Sequence, residues 1–431
     1  MKFPSWHVAQ ENSAAAERLA DAGYPYLVSG VLASRGVECA EDAAEFLTQE
    51  TSLTYSPFLM RDMDKAVARI EQAVENEELI VIYGDYDVDG ISATAILYEC
   101  LSSMGAHVRC KLPTRGSGYG LTRTALESLA QKGFKLVVTV DNGISAVEEA
   151  ACAKALGLDL VITDHHLPGD TLPDAIAVVD PKRADDESPF KDLCGAGVAF
   201  KLICAMEGDL GGEEMIWHFG ELAAIATMAD VVELTGENRL IVQRGLECIA
   251  QGEQVGVHAL IEAAGMSGRK LDSIDLAFGL APRINAAGRL GQTDLAMELL
   301  LCDRQSQAME LAQQLNELNE QRKALVDHIY EEILQERVIL LYGEGWHHGV
   351  IGIAAARLVE EYSKPCVLFS IEEDQARGSA RSVEGYSIIA AISRCSSLLT
   401  RYGGHDQAAG MTVPVEHLRE FIDQMLQDAR E

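Results

Sequence analysis

The sequence predicts an α/β protein in which a parallel-sheet domain is joined by a long helix to a smaller α/β domain, and three observations carry that prediction. Between residues 79 and 180 short apolar runs alternate with helical segments. From Asp303 to Arg337 one helical pattern runs on without Gly or Pro. Beyond it, strand signals start again.

Taken in order, residues 1–62 read as an N-terminal helical segment, because AAAERLADAG and AEDAAEFLTQ are helix-prone and end near turn formers. LIVIYG, HVRCKL, KLVVTV, LDLVIT and AIAVV then read as strands, with ISATAILYECLSS, RTALESLAQK and SAVEEAACAKALG as helices between them. Strands apolar along their whole length are buried on both faces, and their alternation with helices argues a doubly wound parallel sheet. A mostly helical stretch from about 195 to 300 completes a domain over 63–302. In 303–336, Leu311, Leu315, Leu318, Leu325, Ile329 and Ile333 recur at steps of three, four or seven, which gives one apolar face. At 1.5 Å per residue the pattern would reach about 50 Å, the length of a bridge between domains. VILLYG, PCVLFS and the glycine-rich RYGGHDQAAGM mark the second domain, 337–431.

Composition narrows the class. Apolar residues make up 48% and charged residues 24% of the 431, as in a globular protein. No apolar run reaches the eighteen residues of a membrane span, and the N-terminus lacks a secretory apolar stretch, so a cytoplasmic location is expected. Ten cysteines without a CxxC pair fit buried, reduced thiols. The 35 basic and 67 acidic side chains, net −32, argue against a chain that coats polyanions over its whole surface. They permit an acidic, metal-filled site with one local basic groove.

In doubly wound sheets ligands collect at the carboxyl ends of strands. Here those ends carry Asp85, Asp87 and Asp89 in GDYDVDG, Asp141 in DNG, and Asp164, His165 and His166 in TDHH, while Asp230 lies in the later apolar segment LAAIATMADVVEL. A single strand-end Asp often caps the next helix. Several converging without Lys or Arg would repel one another and call for cations. Oxygen ligands mixed with imidazole suit Mn²⁺ or Mg²⁺, with the histidine favouring Mn²⁺. Asp87, Asp89, Asp141 and Asp230 carry four negative charges, which two divalent ions would balance.

In the order DYDVDG, DNG, DHH and MADVV the sequence resembles the DHH phosphoesterase superfamily. The segments SPFLMRDMDKAVARI, GAGVAFKLICAM, PRINAAGRLG, WHHGVIGIAAARLVEEYSKPCVLF, GSARSVEGYSI and GGHDQAAG extend the resemblance in order over nearly the whole chain, and are similar to its RecJ family of single-strand-specific 5′ to 3′ exonucleases. The resemblance implies a DHH domain followed by a DHH-associated domain that binds substrate. It implies Asp87, Asp89, Asp141, His165 and Asp230 as ligands of two divalent ions, Asp141 as their bridge, and Asp85 as a support for the ligands. His166 would face the scissile phosphate as a hydrogen-bond donor, and Asp164 would either orient an imidazole or cap a helix. The implied chemistry is two-metal hydrolysis of single-stranded DNA to 5′-mononucleotides in DNA repair and recombination, with a single-strand-binding protein and a helicase as partners and no membrane.

Candidate substrate residues follow from the same segments. Arg283 and Arg289 flank Asn285, and their guanidinium forks suit phosphate oxygens or a salt bridge at a domain interface. Ser379, Arg381 and Ser382 are expected to follow a strand, and Gly404 and His405 to offer a close backbone approach. His347 matches a family histidine, whereas His348 reads as surface. Arg115 and Tyr119 stand in PTRGSGYG, which resembles a family loop but is shorter and lacks the acid before the glycine. Metal motifs precede the long helix and phosphate motifs follow it, so the substrate is expected between the domains. Family members continue into an OB-fold that grips single strands; this sequence ends at Glu431, which leaves the expectation of complete chemistry and a weaker hold on long strands. The alternative is a phosphoesterase for short oligonucleotides or cyclic dinucleotides, whose branches lack GAGVAFKL. A third reading, a non-catalytic scaffold, would require lost metal ligands, and none is lost.

Overall fold

The computed structural model describes residues 12–47, 55–113, 120–333 and 339–428. They form two compact units, one of residues up to 112 with 120–258 and 268–281, the other of residue 113, 259–267 and 282–428.

The first unit opens with three short helices, α1 (Ser13–Asp21), α2 (Tyr26–Ser34) and α3 (Ala40–Leu47), followed by α4 (Met63–Glu75). Its sheet is built from β1 (Leu79–Tyr83), β2 (His107–Lys111), β3 (Leu136–Val140), β4 (Asp159–Thr163) and β5 (Ala177–Val179), all parallel, in the order β2-β1-β3-β4-β5. Every residue of β3 and β5 is buried, which is why these runs carry no polar alternation. The connections are α5 (Val88–Ser103), α6 (Arg123–Gln131) and α7 (Val147–Ala155), at the places the sequence predicts. One face buries Val81, Val137 and Ile162 against Leu126 and Leu129 of α6. Over the other lie α5 and α8 (Gly195–Glu207), with α9 (Met215–Ala229) and α10 (Gly236–Gln251) behind them. Helices α9 and α10 cross tightly: a side chain on Gly245 would stand 2.3 Å from the Gly220 carbonyl oxygen. The strand order reverses between β1 and β3, and the crevice at that switch point opens at their carboxyl ends.

Helix α11 (Val255–Ala263) leads through a π-helical turn, Asp275–Leu280, to α12 (Ala281–Arg289), α13 (Thr293–Leu300) and α14 (Gln305–Ile333). The last has 29 residues, about 43 Å at 1.5 Å each. Within the second unit α14 packs on α13 and on α15 (Ile351–Tyr362), with Leu311, Leu315 and Leu318 buried. The second sheet contains β6 (Leu340–Glu344), β7 (Cys366–Glu372), β8 (Gln375–Arg381), β9 (Arg401–Gly404) and β10 (Ala408–Pro414), in the order β6-β7-β8-β10-β9. Only β6 and β7 are parallel; β7, β8, β10 and β9 pair antiparallel. One face carries Val326, Trp346, Ile351 and Leu358, and the other carries α16 (Ile388–Arg394) and α17 (Val415–Asp428), where Phe421 meets Phe369 edge to face at 5.5 Å.

Two expectations need correction here. Ser379 and Arg381 lie inside β8, not after a strand, and only Ser382 follows it. The run QARGSAR buries just Ala376 and Ala380, so its alternation is too polar to read as a strand from sequence. His348 is half-buried and bonded through Nδ1 to Glu372 Oε1 at 2.8 Å, not simply surface. All ten cysteines are free, six of them buried. Among the described residues no helix is long and apolar enough to cross a membrane.

Candidate metal centre

Each side chain of the site is delivered by a strand or helix end. After β1 the chain turns through Gly84 into Asp85, and Asp87 then caps α5 by accepting the Gly90 amide at 3.1 Å. The turn is tight: a side chain on Gly90 would stand 2.5 Å from the Asp85 nitrogen. After β3, Asp141 adopts a left-handed backbone, φ 61°, unusual for a residue with a Cβ. Its neighbour Asn142 donates from Nδ2 to the carbonyls of Tyr83 at 3.1 Å and Val140 at 2.9 Å, which ties the ends of β1 and β3 together. After β4 come Asp164, His165 and His166. Asp230 arrives differently, as the C-terminal cap of α9 and not from a strand.

These groups converge. His165 Nε2 lies 3.1 Å from Asp141 Oδ1 and 3.6 Å from Asp89 Oδ2, and its Nδ1 lies 3.7 Å from Asp230 Oδ2. Ligand atoms within 4.8 Å of one another form three groups: Asp141 with His165 and His166; Asp89 with His165 and Asp230; and Asp85 with Asp87 and Asp141. All seven side chains expected at the catalytic site are thereby brought together.

The electrostatics are those of a site built for cations. Burial, reinforced by the charges of Asp89, Asp87 and Asp85, holds the Asp141 carboxyl far above the usual carboxylate range. Burial and the Asp89 and Asp87 charges push Asp230 up to about 7. Burial, then Asp89, raises Asp87. Both ring nitrogens of His165 are buried without a hydrogen bond, and burial lowers its pKa, so the imidazole is neutral and able to ligate. Four carboxylates beside a neutral, orphaned imidazole fit a mixed oxygen and nitrogen coordination of a divalent ion.

Asp164 resolves one of the alternatives left by the sequence. No helix follows it; its Oδ1 accepts His166 Nδ1 at 2.7 Å and the His165 amide at 2.7 Å, and its Oδ2 accepts the Ile144 amide at 2.8 Å. It orients an imidazole. Burial alone would lower the His166 pKa, but the hydrogen bond and charge of Asp164 raise it. Burial would raise Asp164, and its bonds to His166 and to backbone amides lower it instead.

Sequence reasoning missed three contributors. The amides of Gly195 and Ala196, at the start of α8, donate to Asp89 Oδ2 and Oδ1 at 2.6 and 2.7 Å, an anion set on a helix N-terminus. A side chain on Gly195 would come 2.5 Å from Asp141 Cβ, so GAG is read directly by the site. Asp180, at the end of β5, is buried with Oδ2 unbonded and, through burial, titrates at about 7. Its strand AIAVV was legible, and the acid after it was the available signal.

In the second unit, Arg289 Nη1 donates to the Gly349 carbonyl at 3.1 Å, and the Gly349 amide donates to His347 Nδ1 at 3.1 Å. Gly352, at the start of α15, faces Ser379 Oγ and Arg381 Nη2, which lie 2.9 and 3.3 Å from where its side chain would begin. Arg289, His347, Ser379 and Arg381 thus surround residues 349–352. Arg283 is directed elsewhere, with Nε donating to Asn316 Oδ1 at 2.9 Å, while Asn285 lies on the same helix, α12. Ser382 Oγ donates to the Tyr386 carbonyl at 2.7 Å. Gly404 closes the β9–β10 hairpin, where a side chain would meet the Ala408 carbonyl oxygen at 2.3 Å, and His405 is exposed beside it. Arg115 and Tyr119 lie outside the described residues.

Known protein families match a part of each unit. Residues 79–232 match the DHH family N-terminal domain and residues 335–431 the DHHA1 domain. The single-stranded-DNA-specific exonuclease RecJ of Bacillus subtilis is 41% identical over 406 residues, which cover 92% of this chain and 51% of that protein. RecJ of Dickeya dadantii is 36% identical over 427 residues, 92% of this chain and 73% of the relative. The crystal structure of RecJ from Thermus thermophilus in complex with Mn²⁺ superposes with TM-score 0.84 at 31% identity, over 98% of this chain and 62% of that one; its complex with Mg²⁺ gives 0.77 at 30%, over 98% and 60%. The chain therefore spans about half the length of the Bacillus subtilis relative.

Proposed function

The chain belongs to the RecJ family, and from that premise we propose that it is a metal-dependent exonuclease that hydrolyses single-stranded DNA from the 5′ end and releases 5′-mononucleotides. The observation that carries this reading is the meeting of Asp87, Asp89, Asp141, His165 and Asp230 around an imidazole with no hydrogen-bond partner. Asp87, Asp89, Asp141, His165 and Asp230 would hold two divalent ions, Mn²⁺ in preference to Mg²⁺. Bound there, they would polarise the phosphoryl oxygens and acidify the attacking water.

The chain's own residues do the rest. The Gly195 and Ala196 amides fix both oxygens of Asp89, so that ligand does not swing away when the site fills. Asp164 holds His166 by Nδ1, and in its protonated form that imidazole would donate to a non-bridging oxygen of the scissile phosphate. Water adds to phosphorus, the bond from phosphorus to the 3′ oxygen breaks, and the departing oxygen takes a proton. Arg289, Ser379 and Arg381 hold phosphates of the strand, where planar guanidinium groups make paired charge-assisted bonds. Duty in DNA repair and recombination, alongside a single-strand-binding protein and a helicase, belongs to the same proposal.

Digestion of 5′-labelled and 3′-labelled single strands and of blunt duplexes, with Mn²⁺ or Mg²⁺, tests it. The 5′ label should appear first as mononucleotide while the 3′ label shortens in steps. Equal cutting of duplex, or release of the 3′ label first, would contradict the reading.

A further inference from the structure

Among the described residues the loop after β5 carries one ammonium, that of Lys182, with no ion pair. Lys182 stands two residues beyond Asp180, in the loop after β5. That loop is locked beside the DHH turn, since the Asp164 amide donates to the Val179 carbonyl at 3.0 Å and the Lys182 amide donates to Asp180 Oδ1 at 2.7 Å. Neighbouring cations of the loop are neutralised locally. Arg183 is engaged by Asp185 and Asp62 at 2.8 Å, and Lys191 by Asp186 at 2.5 Å. Among the described residues the half-buried Lys182 side chain enters no ion pair or hydrogen bond, not even with Asp180, whose buried Oδ2 is left unbonded.

Strand β5 pairs in parallel with β4, Thr163 opposite Val179, so the loop that carries Lys182 leaves the sheet at the same edge as the DHH turn. A half-buried lysine on a loop beside the DHH turn, with no ion pair or hydrogen bond of its side chain among the described residues, keeps its three donors for something else.

We propose that Lys182 is a substrate-binding residue whose ammonium contacts a non-bridging oxygen of the DNA phosphate presented to the metal centre. The inference rests on the exonuclease reading. Two divalent ions only balance the four liganding carboxylates, and a phosphodiester adds a negative charge that grows as water attacks phosphorus. Lys182 supplies the balancing positive charge from the β5 side. Sequence spacing does not show this: only the parallel pairing of β4 with β5 sets the loop that carries Lys182 beside the DHH turn.

The test compares wild type with Lys182→Met, which keeps bulk without charge, and Lys182→Arg, on 5′-phosphorylated single strands in Mn²⁺. Lys182→Met should lower kcat/KM by at least about tenfold, the weight of a charge-assisted hydrogen bond, and Lys182→Arg should recover most of that loss. The slope of log kcat/KM against log salt should become shallower by about 0.7 in Lys182→Met, one phosphate contact fewer. Titration with Mn²⁺ alone should give the wild-type stoichiometry and affinity. If Lys182→Met lost melting temperature or Mn²⁺ affinity and kept its salt slope, Lys182 would be a structural counter-charge and the proposal would fall. Unchanged kcat/KM in an active background would also overturn it while sparing the exonuclease reading. An inert wild type would sink that reading, and this proposal with it.

Discussion

In the first unit buried carboxylates are pressed together around a neutral imidazole, whereas in the second unit the arginines of the candidate phosphate cluster already bond to oxygens of their own chain. Asp141 and Asp230 are forced towards their neutral forms by burial and by their neighbours. Arg289 and Arg381 donate to the carbonyls of Gly349 and Ala380. The difference teaches which features are costly without a ligand. A cluster of like charges destabilises the fold until cations arrive, and so it implies a ligand on energetic grounds alone. A bonded arginine costs nothing when empty, so its role in binding has to be separated from its role in packing.

Substitutions in the two units should therefore behave differently. Asp141→Asn, the largest effect, removes the shared ligand and should cut turnover by roughly a thousandfold or more, the scale of several kcal/mol of metal assistance. The same change relieves repulsion, so the metal-free variant should melt above metal-free wild type; a lower melting temperature in EDTA would show that the acids are not strained. Gly195→Ala drives a methyl to within 2.5 Å of Asp141 Cβ and disturbs the amide that holds Asp89. Turnover should fall by about 10- to 100-fold, as for other supports of metal ligands, with Mn²⁺ affinity, read by calorimetry, falling alongside. Arg381→Ala in the second unit should raise KM by about tenfold and change kcat less, because it removes a phosphate contact and no metal ligand. A fall in kcat with constant KM would blur the contrast between the units.

A lone acid sharpens the contrast further. Glu221 on α9 is 1% exposed, and burial pushes its carboxyl up to about 7 from the ordinary 4.5. The folded state holds that proton more tightly than the unfolded one, so stability is lost as pH rises from about 4.5 through 7 and the full penalty is present above it. Glu221→Gln should raise stability by about 1–3 kcal/mol at pH 8 and by nothing at pH 4. Mn²⁺ should leave that gain untouched while it reverses the strain at Asp141.

Much of this was legible in the residues. Strands β1, β3 and β4 announced themselves as apolar runs because both faces of the sheet are covered, and the acids at their ends followed. The long helix showed through its leucine spacing. Helix α2 did not, because YLVSGVLAS is apolar on nearly every side and leaves Tyr26, Leu27 and Val31 exposed, so no periodic face marks it. Strand β8 was hidden by its polar alternation. Gly195 and Lys182 were illegible for a deeper reason: their importance lies in what stands across from them, Asp141 and the DHH turn, and sequence spacing carries no information about pairs that meet only in the folded sheet.

The central claim is that the strand-end acids form a divalent-metal site, and calorimetric titration of the metal-free protein with Mn²⁺ tests it most directly. Wild type should bind two ions per chain and melt higher once filled, and Asp141→Asn should lose at least one of them. Absence of binding heat, or the same stoichiometry and affinity in Asp141→Asn, would contradict the account.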